Sequence, residues 1–324
     1  MLPTISIVIP TYNSERTLAR SLESIANQNY PKHNLEIIIA DGGSIDQTLK
    51  IVEKFNVDKI LHNPLKTGEA GKAVGAEAAK NEIIAFIDSD NILPSPDWLK
   101  VMVKPFANLD IAGTEPLYYT YRKEDSLITR YCALMGMNDI LCLFLGNYDR
   151  YNYLTERWTE LKINAVDQGN HLFVNLDKWN VPTIGANGFM VRAHALKEVD
   201  YRPYCVDVDV VYQLVEAGWS KYVKVKTGIV HLFADDKSSF VRKTCRRIGD
   251  YLYHEKRGSR RYPWRSLNRL GILKFVLYTL LIIPLIKDSL KGYKKIPDSA
   301  WRFHPLACWI TLMVYGIKFI TRSN

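Results

Sequence analysis

Short apolar, β-branched runs alternate with amphipathic stretches through the first half of the chain. Residues 5–9 (ISIVI) form such a run, the pattern of a strand buried on both faces of a parallel sheet. Residues 14–29 then place Leu18, Leu22 and Ile25 at helical spacing, and residues 35–40 form a second apolar strand ending at Asp41. Ser44-Ile45-Asp46-Gln47 has the form of a capping box and predicts a helix through Phe55. A short strand over 59–62, an Ala-rich helix over 68–81 and a strand over 83–87 complete the series. This β-α-β-α-β alternation predicts a doubly wound, mostly parallel α/β sheet, which binds ligands beyond the carboxyl ends of its strands. Polar segments stand at those ends: Thr11-Tyr12-Asn13, Asp41-Gly42-Gly43-Ser44 and Asp88-Ser89-Asp90.

The pattern changes near Asp235, where a boundary is expected between residues 1–235 and a helical region, 236–324. Lys and Arg crowd the segment from Arg242 to Arg269, Arg265 among them, and residues 270–286 follow, apolar except for Lys274. A second apolar stretch, 305–320, comes after a connector with Lys287, Lys291, Lys294, Lys295 and Arg302. Each stretch falls short of the ~20 residues needed to cross a ~30 Å hydrocarbon core. Spanning would also place the basic connector outside the cell, against the positive-inside tendency. In-plane or re-entrant helices are therefore preferred, with Pro284 kinking the first and Trp301, Trp309 and Tyr315 at headgroup depth. The competing expectation is a set of core helices in a soluble extension. A third apolar block, 127–145, reads as helical packing over the sheet or as a wall for a lipid acceptor.

Composition narrows the classes. The chain has 324 residues, 47% hydrophobic and 24% charged, which excludes disordered and collagen-like architectures. Its net charge of +9 suits an anionic partner. The basic run abuts apolar residues rather than interleaved aromatics, which points to an anionic membrane surface and not to nucleic acid. Five scattered cysteines without a C-x-x-C spacing argue against a disulfide framework and for a reducing compartment. No basic n-region precedes Pro10 and Asn13, so no secretory signal is read. The turn after the first strand lacks G-x-G-x-x-G, which disfavours a dinucleotide-dependent oxidoreductase.

Asp88 and Asp90, two residues apart, point the same way in extended backbone. Such hard oxygen ligands suit Mg²⁺ or Mn²⁺, which can bridge a diphosphate. A solvated turn accounts equally for the D-S-D triplet alone, and a helix cap for Asp41 alone; their occurrence on adjacent predicted strands favours a site.

Residues 6–13 (SIVIPTYN), 40–46 (ADGGSID) and 88–91 (DSDN) resemble the successive signatures of family 2 glycosyltransferases of the GT-A fold, over about residues 4–235. The resemblance implies a nucleotide-sugar donor, a divalent metal and inversion at the anomeric carbon. It implies that Pro10, Thr11, Tyr12 and Glu15 line the nucleotide pocket and that Asp41 accepts from the base. Asp88, Ser89 and Asp90 would form the D-x-D element, with Asp90 and His231 as the metal pair. Lys72 stands where the family's Arg-Asn is missing and is assigned as a donor-side cation. Residues 184–192 are similar to the acceptor-facing strand and loop, which puts Gly188 and Arg192 on the acceptor side, the glycine admitting close approach of the sugar. Asp207 matches the general base, in a segment with Val206 where a Glu is common; a plain helix N-cap is its bland alternative. Arg242 and Arg246 are candidate diphosphate ligands, or membrane-surface charge.

Together these readings predict an inverting glycosyltransferase at the cytoplasmic face of the cell membrane, acting on a polyprenyl phosphate or lipid-linked glycan. The donor is UDP- or GDP-linked. The alternatives are a polysaccharide or soluble acceptor, or a catalytically inactive scaffold, to which Val206 lends support.

Overall fold

The computed structural model describes residues 2–148, 150–263 and 268–321. The elements begin β1 (Ile5–Thr11), α1 (Leu18–Ala26), β2 (Leu35–Asp41), α2 (Thr48–Val52), β3 (Lys59–His62), α3 (Gly68–Ala78), β4 (Ile83–Phe86) and β5 (Asn91–Ile92). They continue with α4 (Trp98–Val103), β6 (Ile111–Tyr119), α5 (Leu127–Met135), α6 (Leu141–Leu145), β7 (Asn164–Asp167), β8 (His171–Asn175) and β9 (Phe189–Arg192). The series ends with α7 (Ala193–Leu196), α8 (Asp207–Glu216), β10 (Lys221–His231), α9 (Lys237–Lys256), α10 (Arg269–Leu281), α11 (Ile283–Lys295) and α12 (His304–Thr321).

Two compact units are present, Met1–Thr120 with Lys162–His231, and Tyr121–Leu161 with Leu232–Asn324. This partition differs from a single cut near Asp235 in placing 121–161 with the C-terminal residues.

The first unit is built on one sheet in the order β3-β2-β1-β4-β9-β6-β10-β8-β7, with β5 paired to β10. Strands β3, β2, β1 and β4 are mutually parallel, and β9 enters antiparallel between β4 and β6. All seven residues of β1 and all four of β4 are buried, which explains their continuous apolar reading. Helix α3 presses closely on the sheet because its inner positions are small. A Cβ on Gly71 would come within 2.7 Å of Pro10 Cβ, and one on Gly75 within 2.3 Å of Val8 Cγ1. The expected capping box at Ser44 does not form: Ser44 bonds Asp41, and Asp46 Oδ1 instead accepts from Thr48 N at 2.9 Å at the start of a shorter helix.

Strand β6 pairs in parallel with β10, and this register brings Glu115 against Lys224. Both side chains are fully buried and joined as an ion pair. Glu115 Oε1 also accepts from Gly185 N at 2.9 Å, so the pair anchors the loop before β9.

The second unit is helical around a core that includes Tyr131, Leu134, Met135, Phe240, Phe275, Leu285 and Trp301. The 127–145 block is therefore helical core packing, but within this unit rather than over the sheet. Helix α9 opens on a capping box, Asp236 accepting from Ser239 N at 2.8 Å and Ser239 Oγ bonding back. Helices α10 and α11 meet at a 92° bend at Ile282, just before Pro284, as the kink expectation required. Trp301 is core rather than headgroup-facing: it is 1% exposed, and a Cβ on Gly292 would meet its indole at 2.5 Å. The Tyr315 hydroxyl donates to Asp139. Among the described residues, 299–321 form one helical run long and apolar enough to cross a membrane, or up to two such spans exist if the bent pair counts as one. Arg265 lies outside the described residues.

Glu115→Ala would strand a buried ammonium and should destabilise the fold by about 3–5 kcal/mol. Urea unfolding followed by tryptophan fluorescence checks this, and a loss under about 1 kcal/mol would contradict the pairing.

Candidate functional site

The parallel register of β1 with β2 sets Thr11 opposite Asp41, and their side chains meet, Thr11 Oγ1 donating to Asp41 Oδ1 at 2.9 Å. Asp41 also accepts from Ser44 Oγ (2.6 Å), Ser44 N (2.8 Å) and Gly43 N (2.9 Å). Burial alone would raise its pKa, but these four donors outweigh it and hold the carboxyl below its ordinary value. All four lone-pair positions are thus in use, and Asp41 can bond a nucleobase only by releasing one of them.

The segments after β1 and β2 are laced together further, residues 13–15 bonding residues 44–48. Asn13 Oδ1 accepts from Ile45 N at 2.9 Å, and Glu15 Oε2 accepts from Gln47 N at 3.0 Å. Pro10 and Thr11 are buried supports of this rim, whereas Tyr12 is 47% exposed with Lys66 Nζ 5.8 Å from its ring centroid.

Helix α3 delivers Lys72 to the same strand ends. Its ammonium is 4% exposed as a residue, 2.7 Å from Asp207 Oδ1 and 3.6 Å from Asp88 Oδ1. Burial would lower the Lys72 pKa, but the two carboxylates override it and keep the cation charged. Asp207 begins α8, with Val206 in the cap position and no side-chain cap bond, so it is not an N-cap. Its side chain retains 28% exposure. Desolvation is the largest influence on it and, with the neighbouring Asp88, pushes its pKa up to about 7 against the pull of Lys72. Gly185 closes the far side with φ +121°, and a Cβ there would lie 2.8 Å from the Asp207 carbonyl oxygen.

Beyond β4 the chain turns rather than staying extended, and the two D-S-D carboxylates separate. Asp88 faces Lys72, while Asp90 Oδ1 lies 3.4 Å from His231 Nε2. Pairing of β5 with β10 sets Asn91 opposite His231 and so creates this second contact. Asn91 Nδ2 donates to Asn187 Oδ1 at 3.0 Å, and Asn187 Nδ2 to Tyr119 OH at 3.0 Å, which fixes the floor of the site. Ser89 Oγ bonds Ser14 Oγ at 3.0 Å.

Among the described residues no three His, Cys, Asp or Glu side chains gather to hold a metal by themselves. One carboxylate and one imidazole nevertheless fit a hard divalent ion that takes its remaining ligands from phosphate oxygens and water.

Two acceptor-side expectations are corrected. Arg192 pairs with Ile83, at the opposite end of β4 from Asp88, and its guanidinium donates to the carbonyls of Ile111 (2.8 Å), Phe106 (2.8 Å) and Asn108 (2.9 Å). It is a clamp between strands, not an acceptor ligand. A Cβ at Gly188 would strike Ile229 Cδ1 at 2.7 Å and the Trp98 ring at 3.2 Å, so packing rather than sugar access requires the glycine. Arg242 and Arg246 lie exposed, one turn apart, on α9 of the second unit. Tyr119 and Glu115 were missed as site-supporting residues, whereas Asn91, Gly185 and Asn187 fall inside segments the sequence singled out, 88–91 and 184–192, without having been given this supporting role.

A nucleotide-diphospho-sugar transferase sheet of GT-A type is thus present, with the aligned strand ends expected of it. The chain belongs to Glycosyl transferase family 2, whose profile matches residues 6–199. It is 28% identical over 143 residues to Glycosyltransferase AglE of Haloferax volcanii, covering 42% of this chain and 46% of that protein. It is 36% identical over 110 residues to a dolichyl N-acetyl-alpha-D-glucosaminyl phosphate 3-beta-D-2,3-diacetamido-2,3-dideoxy-beta-D-glucuronosyltransferase of Methanococcus voltae, covering 32% and 34%. The matches span less than half of each of these two relatives. Among solved structures, mannosyltransferase PcManGT from Pyrobaculum calidifontis, in complex with GDP-Man and Mn²⁺, superposes with a TM-score of 0.56 at 14% identity, covering 100% of this chain and 89% of that one.

Removing Lys72 takes away the one influence that lowers Asp207 strongly. In Lys72→Met the Asp207 carboxyl should therefore titrate above its wild-type value of about 7. Carboxyl-carbon NMR of both proteins measures this, and a downward shift would contradict the pairing.

Proposed function

We propose that this chain is an inverting glycosyltransferase that moves a sugar from a UDP- or GDP-linked donor to a membrane-held acceptor, a polyprenyl phosphate or lipid-linked glycan. The observation that carries the reading is Asp207, a carboxylate of raised pKa held beside the D-S-D turn by Lys72. A base with a pKa near the working pH is well matched to taking a proton from an acceptor hydroxyl. As Asp207 takes that proton, the acceptor oxygen bonds the anomeric carbon from the face opposite the departing diphosphate, and configuration inverts. Lys72 keeps Asp207 in place while the acceptor enters. Asp90 and His231 are the residues to hold Mg²⁺ or Mn²⁺, which when bound neutralises charge on the leaving diphosphate. Tyr12 offers an exposed ring for the base, and Glu15 and Asp41 stiffen the loops around it. The GDP-Man and Mn²⁺ of the Pyrobaculum complex support a sugar nucleotide handled with a divalent ion.

A membrane-held acceptor is supported by the apolar helices of the second unit and by the dolichyl phosphate in the name of the Methanococcus relative. Confining enzyme and acceptor to one surface raises their effective concentration. Exposed Arg242 and Arg246 suit the phosphates of such a substrate or surface, at the cytoplasmic face. A division into a catalytic part, 1–235, and a membrane-associating part, 236–324, fits this reading functionally. Truncation at 235 is nonetheless a poor test, because 121–161 would lose the core it shares with α10–α12.

Turnover should rise with pH through the Asp207 pKa, since only the carboxylate accepts a proton. In Asp207→Asn this acid limb should vanish and turnover fall roughly 100-fold or more, with donor binding retained. A mild Asp207→Asn alongside a crippling Asp209→Asn would move the base to Asp209. Chelation should abolish transfer, as should Asp90→Ala; full activity after exhaustive chelation refutes the metal assignment. Transfer to soluble oligosaccharide but not to polyprenyl phosphate in vesicles would replace the lipid acceptor with a soluble one.

A further inference from the structure

Helix α11 presents three chemically distinct faces. Leu285 and Gly292, seven residues apart, are buried against the unit. Ile283, Ile286, Leu290 and Tyr293 recur at three- and four-residue spacing and are 63%, 46%, 57% and 50% exposed. Lys287, Lys291 and Lys294 form an exposed stripe alongside that apolar face. An apolar face in solvent is costly by itself, and one bordered by a single-sign lysine stripe suits the boundary between hydrocarbon and anionic headgroups.

The preceding helix adds a second constraint. Helix α10 has 13 residues, about 20 Å at 1.5 Å per residue, too short for a hydrocarbon core of roughly 30 Å. Its continuation into α11 is bent by 92°, so the pair is not one straight span. Leu273, Leu277 and Leu280 are 54%, 47% and 56% exposed on α10, and Lys274 is the only charge between Leu270 and Leu281. The lysines of α11 are held out of hydrocarbon by cost, whereas α10 carries little to keep it out.

We propose that α11 lies in the headgroup plane of an anionic phospholipid surface, its lysines on lipid phosphates, with α10 dipping into one leaflet from the bend at Ile282. This deepens, and rests on, the membrane-facing reading above, and it assigns the docking to the bent pair rather than to α12.

The full chain should co-sediment with phosphatidylcholine vesicles containing phosphatidylglycerol, and much more weakly with phosphatidylcholine alone or at raised salt. Replacing Lys287, Lys291 and Lys294 together by Gln should cut partitioning on the order of 100-fold, about fivefold per lysine. Ile286→Asp with Leu290→Asp should release the protein from both vesicle types. All five positions are exposed, so circular dichroism should be unchanged. The same triple exchange at Lys50 and Lys54, exposed in the first unit, and at Lys100, partly exposed there, should leave binding intact. Equal binding to neutral and anionic vesicles, unchanged binding of both α11 variants, or self-association of a chain that ignores vesicles would each overturn the assignment. Vesicle binding requires neither donor nor turnover. An inactive protein that still docks through α11 therefore argues against the transferase reading alone, and an active one that does not dock argues against this inference alone.

Discussion

A lysine ammonium withdrawn from water must find anions close by, and the geometry around Lys72 follows from that demand. Two approaches satisfy it. Asp88 arrives from the turn after β4 and Asp207 from the first turn of α8, at 3.6 Å and 2.7 Å. The Asp207 carboxylate would be disfavoured there without the cation, since burial and the neighbouring Asp88 both push its pKa up. The cation itself gets that deep only because Gly71 and Gly75 let α3 settle against Pro10 and Val8. Small residues on a helix, a parallel strand beneath them and a charged triad at the strand ends are therefore one construction.

The part of this construction written in local pattern was legible. Runs buried on both faces announce strands β1, β2 and β4, and the polar residues at their ends have no role in the sheet, so they stand out. The family resemblance drew on those same residues. What pattern does not carry is a partner far along the chain. Lys72 and Asp207 are 135 positions apart, and Glu115 and Lys224 are 109 apart. A single charge inside a β-branched strand looks like an edge residue until the register of β6 on β10 reveals its counter-ion. Arg192 misled for a related reason. It follows a glycine-punctuated segment at the active end, but four residues of antiparallel β9 carry it down to the far end of the sheet. The division of the chain was only partly visible, because 121–161 is distinguished by what it packs against and not by composition.

The separation of Asp88 from Asp90 has a chemical consequence that an extended D-S-D would lack. Two carboxylates aimed at one point would compete for a single cation and raise each other's pKa. With a turn between them, Asp88 belongs to the Lys72–Asp207 pair, whereas Asp90 belongs to the imidazole of His231. The first grouping already contains its own positive charge and resists taking a metal, since a divalent ion would have to displace a buried ammonium. The second sets a carboxylate beside an imidazole, donor types that suit a hard divalent ion on the reading proposed above. On the reading proposed above, the carboxylate that neighbours the base and the carboxylate that holds the metal are two residues apart in the chain yet sit in separate charge groupings. The Asn91–Asn187–Tyr119 chain beneath them is neutral, and it holds the turn without adding charge to either side.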